Sequence, residues 1–373
     1  MNFRLWVIGW VGVLCAQLVT GCVEKPDEEF WDENADESSS SETKNDSLES
    51  SVDTLEYVKP PHLTCKEVIT QEEYDLADST IYYNYWGEAF AFWNNEIMRF
   101  TGNRKIFKRK LGENLWTNVS VQGDSVFSTY SFVAQKDSIV MAKRHRFYRD
   151  EQFAEHYENS LCQTMDMGET WTCDKADSAD FNAVSDGMYF YFQRGSLQQY
   201  SLDGVIWNDF HLPHSDMIRN AFVVDGVHFF YTRESDLFSS TDFQNWDSTH
   251  VPVFQGGTKV VYGNGVFVYA GAWGELKYST DLVTWKESKR VCPSCRDPWF
   301  NDVVFEEGMF IVVGSSHPDR STKVILTSYN GQDFEEQEDC DSELDYDAVY
   351  YDRNGHFYIT NGCDYYVFQK DSI

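Results

Sequence analysis

The chain has 373 residues, a formal net charge of −31 and an aromatic content of 16%. Such a surplus of carboxylates repels nucleic acid backbones and anionic lipid surfaces, so neither is an expected partner. The length would suffice for two average domains, but single all-β domains of this size are common. The repeats described below occupy nearly all of the chain after residue 80.

The N-terminus has the pattern of an export signal. Arg4 gives a positive start, an apolar run spans residues 5–18, and the small residues 19–21 precede Cys22. This ending resembles the lipobox of bacterial lipoproteins, and the resemblance implies cleavage before Cys22 and lipid attachment to its side chain. The alternative is an ordinary secretory signal with an incidental cysteine. Both predict export.

Membrane attachment through the lipid alone is expected, because no later apolar run reaches the roughly 18 residues that a spanning helix needs. Residues 1–21 are therefore predicted to be the signal peptide. We expect the mature protein to be held in the cell envelope, at the outer membrane or the cell surface.

The segment that follows Cys22 is acidic and rich in serine. It includes the run Glu-Glu-Phe-Trp-Asp-Glu at residues 28–33 and four consecutive serines at residues 38–41. A segment of this kind cannot bury enough apolar surface to offset the entropy lost on ordering. Residues 22–60 are predicted to be a solvated, disordered tether, and residues 61–373 the folded domain.

Similar units recur through the folded part. The clearest run from Asn182 to Trp207, from Asn220 to Trp246, from Lys259 to Trp285 and from Asp302 to Phe334. Each starts with a short apolar strand and then a dipeptide that suits the positive φ of a tight hairpin. These dipeptides are Asp186-Gly187, Asp225-Gly226, Asn264-Gly265 and Glu307-Gly308. A second strand, a loop of variable length and a third strand complete the pattern.

The third strand of each unit ends in the most specific motif. Residues Thr164-x-Asp166-x-Gly168-x-Thr170-Trp171 match the pattern S/T-x-D-x-G-x-T-W in full. Shorter versions are Ser201-x-Asp203 with Trp207, Ser240-x-Asp242 with Trp246, Ser279-x-Asp281 with Trp285, and Ser328-x-Asn330 with Phe334. The motif resembles the Asp-box (BNR) repeat of sialidase-like β-propellers.

The resemblance implies a structural role for these residues. The Asp or Asn oxygen is expected to accept N–H bonds within the turn, and the aromatic ring to pack between neighbouring sheets. Three of the short versions lack the usual glycine spacing, and the last replaces both Asp and Trp.

The ends of the folded part predict how the ring closes. Earlier units run from Ala89 to Trp116 and from Phe132 to Trp171, and the stretch from residue 347 to residue 369 supplies only three strands. Residues 62–65 resemble residues 170–173, so they are expected to be the missing fourth strand. The resemblance implies an all-β fold, a β-propeller of seven four-stranded blades closed by an N-terminal strand. Six blades, eight blades and a β-sandwich are the alternatives.

Nine cysteines occur in the chain. Without Cys15 in the signal and Cys22 at the lipid, an odd number is left, so at least one is unpaired or pairs elsewhere. Cys162 and Cys173 flank the motif of the second unit and are the expected disulfide. Three others are expected to lie close together if the ring closes, namely Cys65, Cys340 and Cys363.

The Cys292-x-x-Cys295 pair is interpreted as a loop staple, because no second pair or nearby histidine supports a metal site. No metal and no cofactor is expected.

Arginines are concentrated in the loops between second and third strands and in the connections between units. In Asp-box propellers these segments form the usual ligand face, opposite the boxes. A ring of guanidinium groups there is suited to carboxylates, sulfates or acidic sugars, and tryptophans are suited to stacking on sugar rings. The ligand-binding candidates are Arg104, Arg144, Arg194, Arg233, Trp273, Arg296, Trp299 and Arg320. The alternative is that each arginine pairs with a nearby acid, as exposed charges do.

The segment 143–159 is the largest insertion in this pattern. Its second half is expected to form a short helix, since Glu151 and Glu155 are four residues apart. We interpret the insertion as a partner contact or a lid, with a plain solvated insert as the alternative.

The resemblance to sialidase-like propellers raises the question of catalysis. Sialidases use an arginine triad, a Tyr/Glu pair and an Asp, and this chain lacks the Phe-Arg-Ile-Pro stretch that marks the first arginine of the triad. No catalytic residue can be singled out, and a fold does not carry a function with it.

The sequence therefore favours a lipid-anchored, non-catalytic binding module of the cell envelope. Its ligand is expected to be an acidic glycan or a protein partner. The alternatives are a sialidase-type glycoside hydrolase and a structural scaffold in an envelope complex.

Overall fold

A computed structural model describes residues 62–69, 89–101, 105–113, 115–121, 128–149, 155–176, 182–194, 196–214, 216–253, 258–291, 298–316, 323–337, 346–360 and 365–370. The predicted signal peptide, Cys22 and the tether lie outside these residues and stay predictions. Within them, no helix has both the length and the apolar character that a membrane-spanning segment requires.

The described residues form seven small antiparallel sheets, which are the blades of a seven-bladed β-propeller. The strands of the first two blades, inner to outer, are Ala89–Trp93, Glu96–Thr101, Lys105–Lys110 and Thr117–Asn118, then Ser128–Lys136, Ile139–Arg149, Glu155–Thr164 and Thr172–Ala176. Those of the third and fourth are Asn182–Ser185, Phe190–Arg194, Leu197–Ser201 and Asn208–Phe210, then Ile218–Val224, Val227–Thr232, Asp236–Ser240 and Asp247–His250.

The remaining blades complete the ring. The fifth and sixth contain Lys259–Gly263, Val266–Ala270, Leu276–Ser279 and Lys286–Glu287, then Pro298–Glu306, Met309–Ser316, Lys323–Ser328 and Asp333–Glu336. A short strand, Lys289–Val291, adds to the outer edge of the sixth blade in parallel. The seventh consists of Ala348–Tyr351, His356–Thr360, Tyr365–Lys370 and Leu63–Ile69.

The seventh blade closes the ring by pairing strands from the two ends of the domain. Its outer strand comes from the N-terminal side of the domain and pairs antiparallel with the C-terminal strand, Leu63 opposite Lys370. The imidazole Nδ1 of His62 and the amide of Leu63 bond to Oε1 of Gln337 in the sixth blade, at 2.9 and 3.0 Å. The predicted blade number and closing strand are therefore confirmed.

Apolar side chains on both faces of the central strands pack against the neighbouring blades. All five residues of Val266–Ala270 are buried, and Val268 belongs to one cluster with Val312 and Leu326 of the sixth blade. Strands that are covered on both faces need continuous apolar runs rather than alternation. Close packing also explains why residue 263 is a glycine, because a Cβ there would lie 2.2 Å from the ring of Phe305.

The predicted disulfide of the second blade is present. Cys162 and Cys173 lie directly opposite each other on neighbouring strands and are bonded. Cys65, in the closing strand, is also disulfide-bonded. The other cysteines of the predicted pairings lie outside the described residues, namely Cys292, Cys295, Cys340 and Cys363.

The insertion at residues 143–159 is not helical where the structure describes it, so that prediction is wrong. Ile139–Arg149 and Glu155–Thr164 form one long hairpin, paired continuously to Arg149 opposite Glu155. The flanking strands of the same sheet are shorter, and the hairpin extends beyond them. Pairing across the strands places Arg146 opposite Glu158, and such opposite-charge pairs stabilise a ladder in which a helical spacing has no role.

Two faces of the propeller follow from this strand order. We call turn face the side with the hairpins between first and second strands and the turns between third and fourth strands. We call loop face the side with the loops between second and third strands and the connections between blades.

Candidate functional site

Five turns on the turn face share one hydrogen-bond arrangement. We call them box turns, and they begin at Thr164, Ser201, Ser240, Ser279 and Ser328. In the third blade, Ser201 Oγ accepts the amide of Gly204 at 2.8 Å, while Asp203 Oδ1 accepts the amides of Val205 and Ile206 at 2.9 Å each. These two amides hold the pKa of Asp203 below its ordinary value. The carboxylate is occupied by its own turn.

The residue after the Asp or Asn of the four shorter box turns adopts a positive φ. It is glycine at Gly204 and Gly331, but Phe243 and Leu282 take the same conformation, with φ of 58° and 63°. Phe243 is held there by packing, since its ring stacks on Tyr200 at a centroid distance of 4.1 Å. The turn therefore survives the loss of its glycine.

The aromatic residues of the box turns pack at the seams between blades. Trp171 Nε1 donates to the carbonyl of Val119 in the first blade at 2.7 Å. Trp246 lies 5.9 Å from Phe210 in the third blade and 5.4 Å from Phe230, between ring centroids. The remaining members pack as well: Trp207 contacts Phe192, Trp285 packs on a core cluster and Phe334 is fully buried.

The candidate arginines divide into three groups. Arg104, Arg296 and Arg320 lie outside the described residues. Arg144 was expected on an open loop, but it lies inside the strand Ile139–Arg149 with 8% of its surface exposed, because the insertion continues the sheet. Arg194 is half-buried at the end of a strand, and only Arg233 is exposed on a turn of the loop face.

The turn that presents Arg233 is held by its neighbours. Asp216 Oδ2 accepts the amide of Glu234 at 2.7 Å, and the amide of Arg233 donates to the carbonyl of Met217 at 2.9 Å. Ser235 closes the turn with a φ of 69°. Within the part of the chain that the structure describes, the guanidinium of Arg233 makes no ion pair, although Glu234 follows it directly.

Trp273 occupies an unusual position on the loop face of the fifth blade. The amide of Glu275 donates to the carbonyl of Ala272 at 3.2 Å, and between them Trp273 and Gly274 have φ of 58° and 74°. These values define a type I′ turn, whose first central position normally holds Asn, Asp or Gly. A bulky side chain there is strained by about 1 kcal/mol, and 47% of the Trp273 surface is exposed.

Residues of the sixth blade support this turn. The indole rings of Trp273 and Trp299 meet edge to face, with centroids 5.6 Å apart. The amide of Phe300 donates to the carbonyl of Gly271 at 3.2 Å. The Arg290 guanidinium lies over the Phe300 ring at 5.8 Å and packs against Gly274, where a Cβ would approach it to 2.9 Å. The structure thus brings the two predicted tryptophans, Trp273 and Trp299, together on the loop face.

A tyrosine and a glutamate also lie close together near these two tryptophans. Tyr269 Oη lies 3.5 Å from Glu275 Oε2, and Glu275 pairs with Lys277 at 3.3 Å. Burial, with the nearby Tyr231 and Glu275, raises the pKa of Tyr269 above its ordinary value, and Arg219 opposes the rise. Because Tyr269 is fully buried, its hydroxyl is not placed to attack a substrate.

Sequence reasoning missed a buried polar network at the seam of the third and fourth blades. The positive φ predicted for Asp186 is wrong, because only Gly187 of that pair has one. The Asp186 carboxylate is turned inward and fully covered. It accepts the amides of Met188 and Tyr189 and bonds to the Tyr191 hydroxyl and, at 2.7 Å, to His228 Nδ1.

Burial alone would raise the pKa of Asp186, but the bonds from His228, Tyr191 and the two amides outweigh it and hold the pKa below its ordinary value. No local signal marks this pair, since His228 is 42 residues away in sequence. Among the described residues no cluster of three or more potential metal ligands is present.

No family model and no curated protein matches this chain. Solved structures share its fold. YCF48 bound to D1 peptide is 13% identical over 85% of this chain and 97% of its own, with a TM-score of 0.55. A catalytically inactive virginiamycin B lyase from Staphylococcus aureus with quinupristin is 10% identical over 78% and 98%, with a TM-score of 0.55.

A GH74 xyloglucanase from Xanthomonas campestris is 12% identical over 83% of this chain and 54% of its own, with a TM-score of 0.56. Likeness at these identities shows the fold alone, and the three proteins differ in what they do. The protein is a seven-bladed β-propeller, and its task must be argued from its own surfaces.

Proposed function

We propose that this protein is an exported, lipid-anchored binding module of the bacterial cell envelope, related to the Asp-box propellers, and that it binds an acidic glycan on its loop face without catalysis. Cys22 carries the lipid and residues 22–60 form the tether. The five box turns support the relationship, because each Asp or Asn side chain accepts at least one amide of its own turn.

The observation that carries the ligand assignment is the exposure of Trp273 in a strained turn. Strained residues persist where the surroundings hold them, and they cluster at functional sites. An exposed indole offers a stacking face for a sugar ring. Arg233, exposed on the loop of the adjacent blade, offers a guanidinium suited to a carboxylate or sulfate.

The test is a glycan array probed with the domain of residues 61–373. We expect binding to glycans with carboxylate or sulfate groups, and we expect Trp273→Asn to weaken it at least about tenfold, the loss of roughly one stacking contact. Arg233→Ala should weaken only the acidic ligands. Val283→Asn, an exposed position on the turn face, is the matched control and should bind normally.

Two results would overturn the assignment. Binding of neutral glycans that is indifferent to Arg233→Ala would remove the acidic group from it. A folded domain that binds no glycan but retains an envelope protein through Trp273 would identify a protein partner instead.

A further inference from the structure

The turn face carries an uneven share of the exposed apolar side chains. Within the described residues, large exposed hydrophobics on the loop face are Tyr157, Leu197, Met217 and Trp273, each on a different blade. Those on the turn face are Leu115, Met165, Met188, Leu202, Val205, Ile206 and Val283. Leu202, Val205 and Ile206 belong to one box turn and are 55%, 59% and 67% exposed. Concentrations of this kind mark contact surfaces.

These side chains lie on the same side of the propeller. Most lie at the tips of turns between third and fourth strands, which all end on the same side of the ring. The tips are fixed, because Asp203 binds the amides of Val205 and Ile206, and Asp281 binds the amide of Val283 at 2.9 Å. Fixed apolar tips on one side of the propeller, four of them on the third blade, can approach an apolar surface together.

The chain enters the propeller on this same face. The third strand of each blade runs from the loop face to the turn face, and in the seventh blade it ends at Lys370, opposite Leu63. Lys370 Nζ also donates to the carbonyl of Glu307 in a turn-face hairpin, at 2.9 Å. The outer strand therefore starts at the turn face, with Leu63 at that end.

We propose that the turn face docks on the lipid leaflet that holds the Cys22 anchor, with the apolar tips in the headgroup layer and the loop face turned outward. This rests on the lipid anchor of the proposed function. The predicted tether has about 40 residues from Cys22 to His62, and a random coil of that length would span roughly 35 Å, enough to permit contact. The carboxylates of the box turns repel anionic headgroups, so the lipid that fits is zwitterionic.

The test places a photoreactive p-benzoylphenylalanine at Ile206 or, as the matched control, at Leu197 on the loop face. The mature chain is held on phosphatidylcholine vesicles by an N-terminal hexahistidine tag and a nickel-chelating lipid, so the result does not depend on acylation. After irradiation, mass spectrometry should show phospholipid adducts at least about fivefold more often at position 206, since only buried apolar tips approach the acyl chains.

Equal adduct yields at both positions would overturn the docking, and so would crosslinks from position 206 to a second copy of the chain. Phosphatidylserine vesicles should lower the yield at 206, and an increase would refute the charge argument. Mass spectrometry of the mature N-terminus tests the anchor separately. An unmodified Cys22 would remove the lipid anchor from the proposed function. The vesicle experiment would still show which face of the propeller contacts the lipid.

Discussion

The two faces of this propeller are built by the same seven sheets but follow different rules. On the turn face, five box turns repeat nearly the same hydrogen bonds, with Asp203 and Asn330 in equivalent places. On the loop face, the turns of Arg233 and Trp273 are each closed by an amide that donates to the carbonyl three residues earlier, but only the central residues of the second have positive φ, and neither resembles a box turn. The comparison teaches that the repeated residues build the scaffold, whereas the binding proposed for the loop face rests on residues that do not repeat.

The largest loss of stability is expected where two blades share a buried network. Asp186→Asn keeps the oxygen that accepts the two amides but replaces the other with an NH2 group, so Tyr191 and His228 lose the charged acceptor they share and keep only their mutual contact at 2.9 Å. We expect the free energy of unfolding to fall by about 3 kcal/mol. Urea denaturation followed by tryptophan fluorescence measures it, with the exposed hairpin variant Asp225→Asn as control. Equal effects of the two variants would show that the network does not stabilise the seam.

The difference in stability between wild type and Asp186→Asn should depend on pH. The folded-state pKa of Asp186 is below its ordinary value, so its contribution is present above the ordinary carboxyl pKa of about 4 and is lost as pH falls through the lower folded pKa. The difference between wild type and Asp186→Asn should therefore shrink below about pH 4. A difference that is constant down to acid unfolding would contradict this cause.

A smaller effect should separate packing from backbone strain on the turn face. Gly204 and Gly226 have φ of 74° and 79°, but a Cβ at Gly204 would lie 2.5 Å from Gln163 Oε1 and Met141 Cε, whereas a Cβ at Gly226 meets nothing within 4 Å. Gly226→Ala should cost about 1 kcal/mol from strain alone, and Gly204→Ala about 2 to 3 kcal/mol. Thermal and urea unfolding of both variants give the comparison. Equal losses would mean that the box turn moves aside to accept the methyl group.

Local and distant features were not equally predictable. The box turns and the closing strand at Leu63 follow from short patterns, because a turn is specified by residues that are next to each other in sequence. Asp186 looked like an ordinary hairpin residue, since its partner His228 lies in another blade and is chosen by how two sheets pack. Arg144 and the helix expected at Glu155 failed for a related reason: strand pairing across the insertion overrode the local spacing.

The site shows the same division. Trp273 and Trp299 are both predicted stacking faces, and the structure places them together, with Trp273 exposed and Trp299 half-buried. The strained turn at Trp273 could not be predicted, because no pattern in the neighbouring residues indicates a positive φ at a tryptophan. Arg290, which packs against Gly274, was not among the candidates, since its role depends on contact between the fifth and sixth blades.

The smallest change in stability is expected at Trp273, because this residue is not needed for the packing of the domain. Asn is at ease in the first central position of a type I′ turn, so Trp273→Asn relieves strain of about 1 kcal/mol while giving up an edge-to-face contact with Trp299 of similar size. The free energy of unfolding should stay within about 1 kcal/mol of wild type, although the proposed glycan binding should weaken at least about tenfold.

Phe243 is the counterpart on the turn face, with the same φ of 58°. Its ring packs on Tyr200 and His228 at 4.1 and 4.6 Å, so Phe243→Gly should relieve the strain yet lower stability by about 2 kcal/mol, because the packing lost outweighs it. The two residues share one backbone conformation, but their replacement should change the free energy of unfolding differently: little at Trp273 and by about 2 kcal/mol at Phe243. If Trp273→Asn destabilised the domain as much as Phe243→Gly, the tryptophan would be a packing residue and the loop face would lose its distinguishing feature.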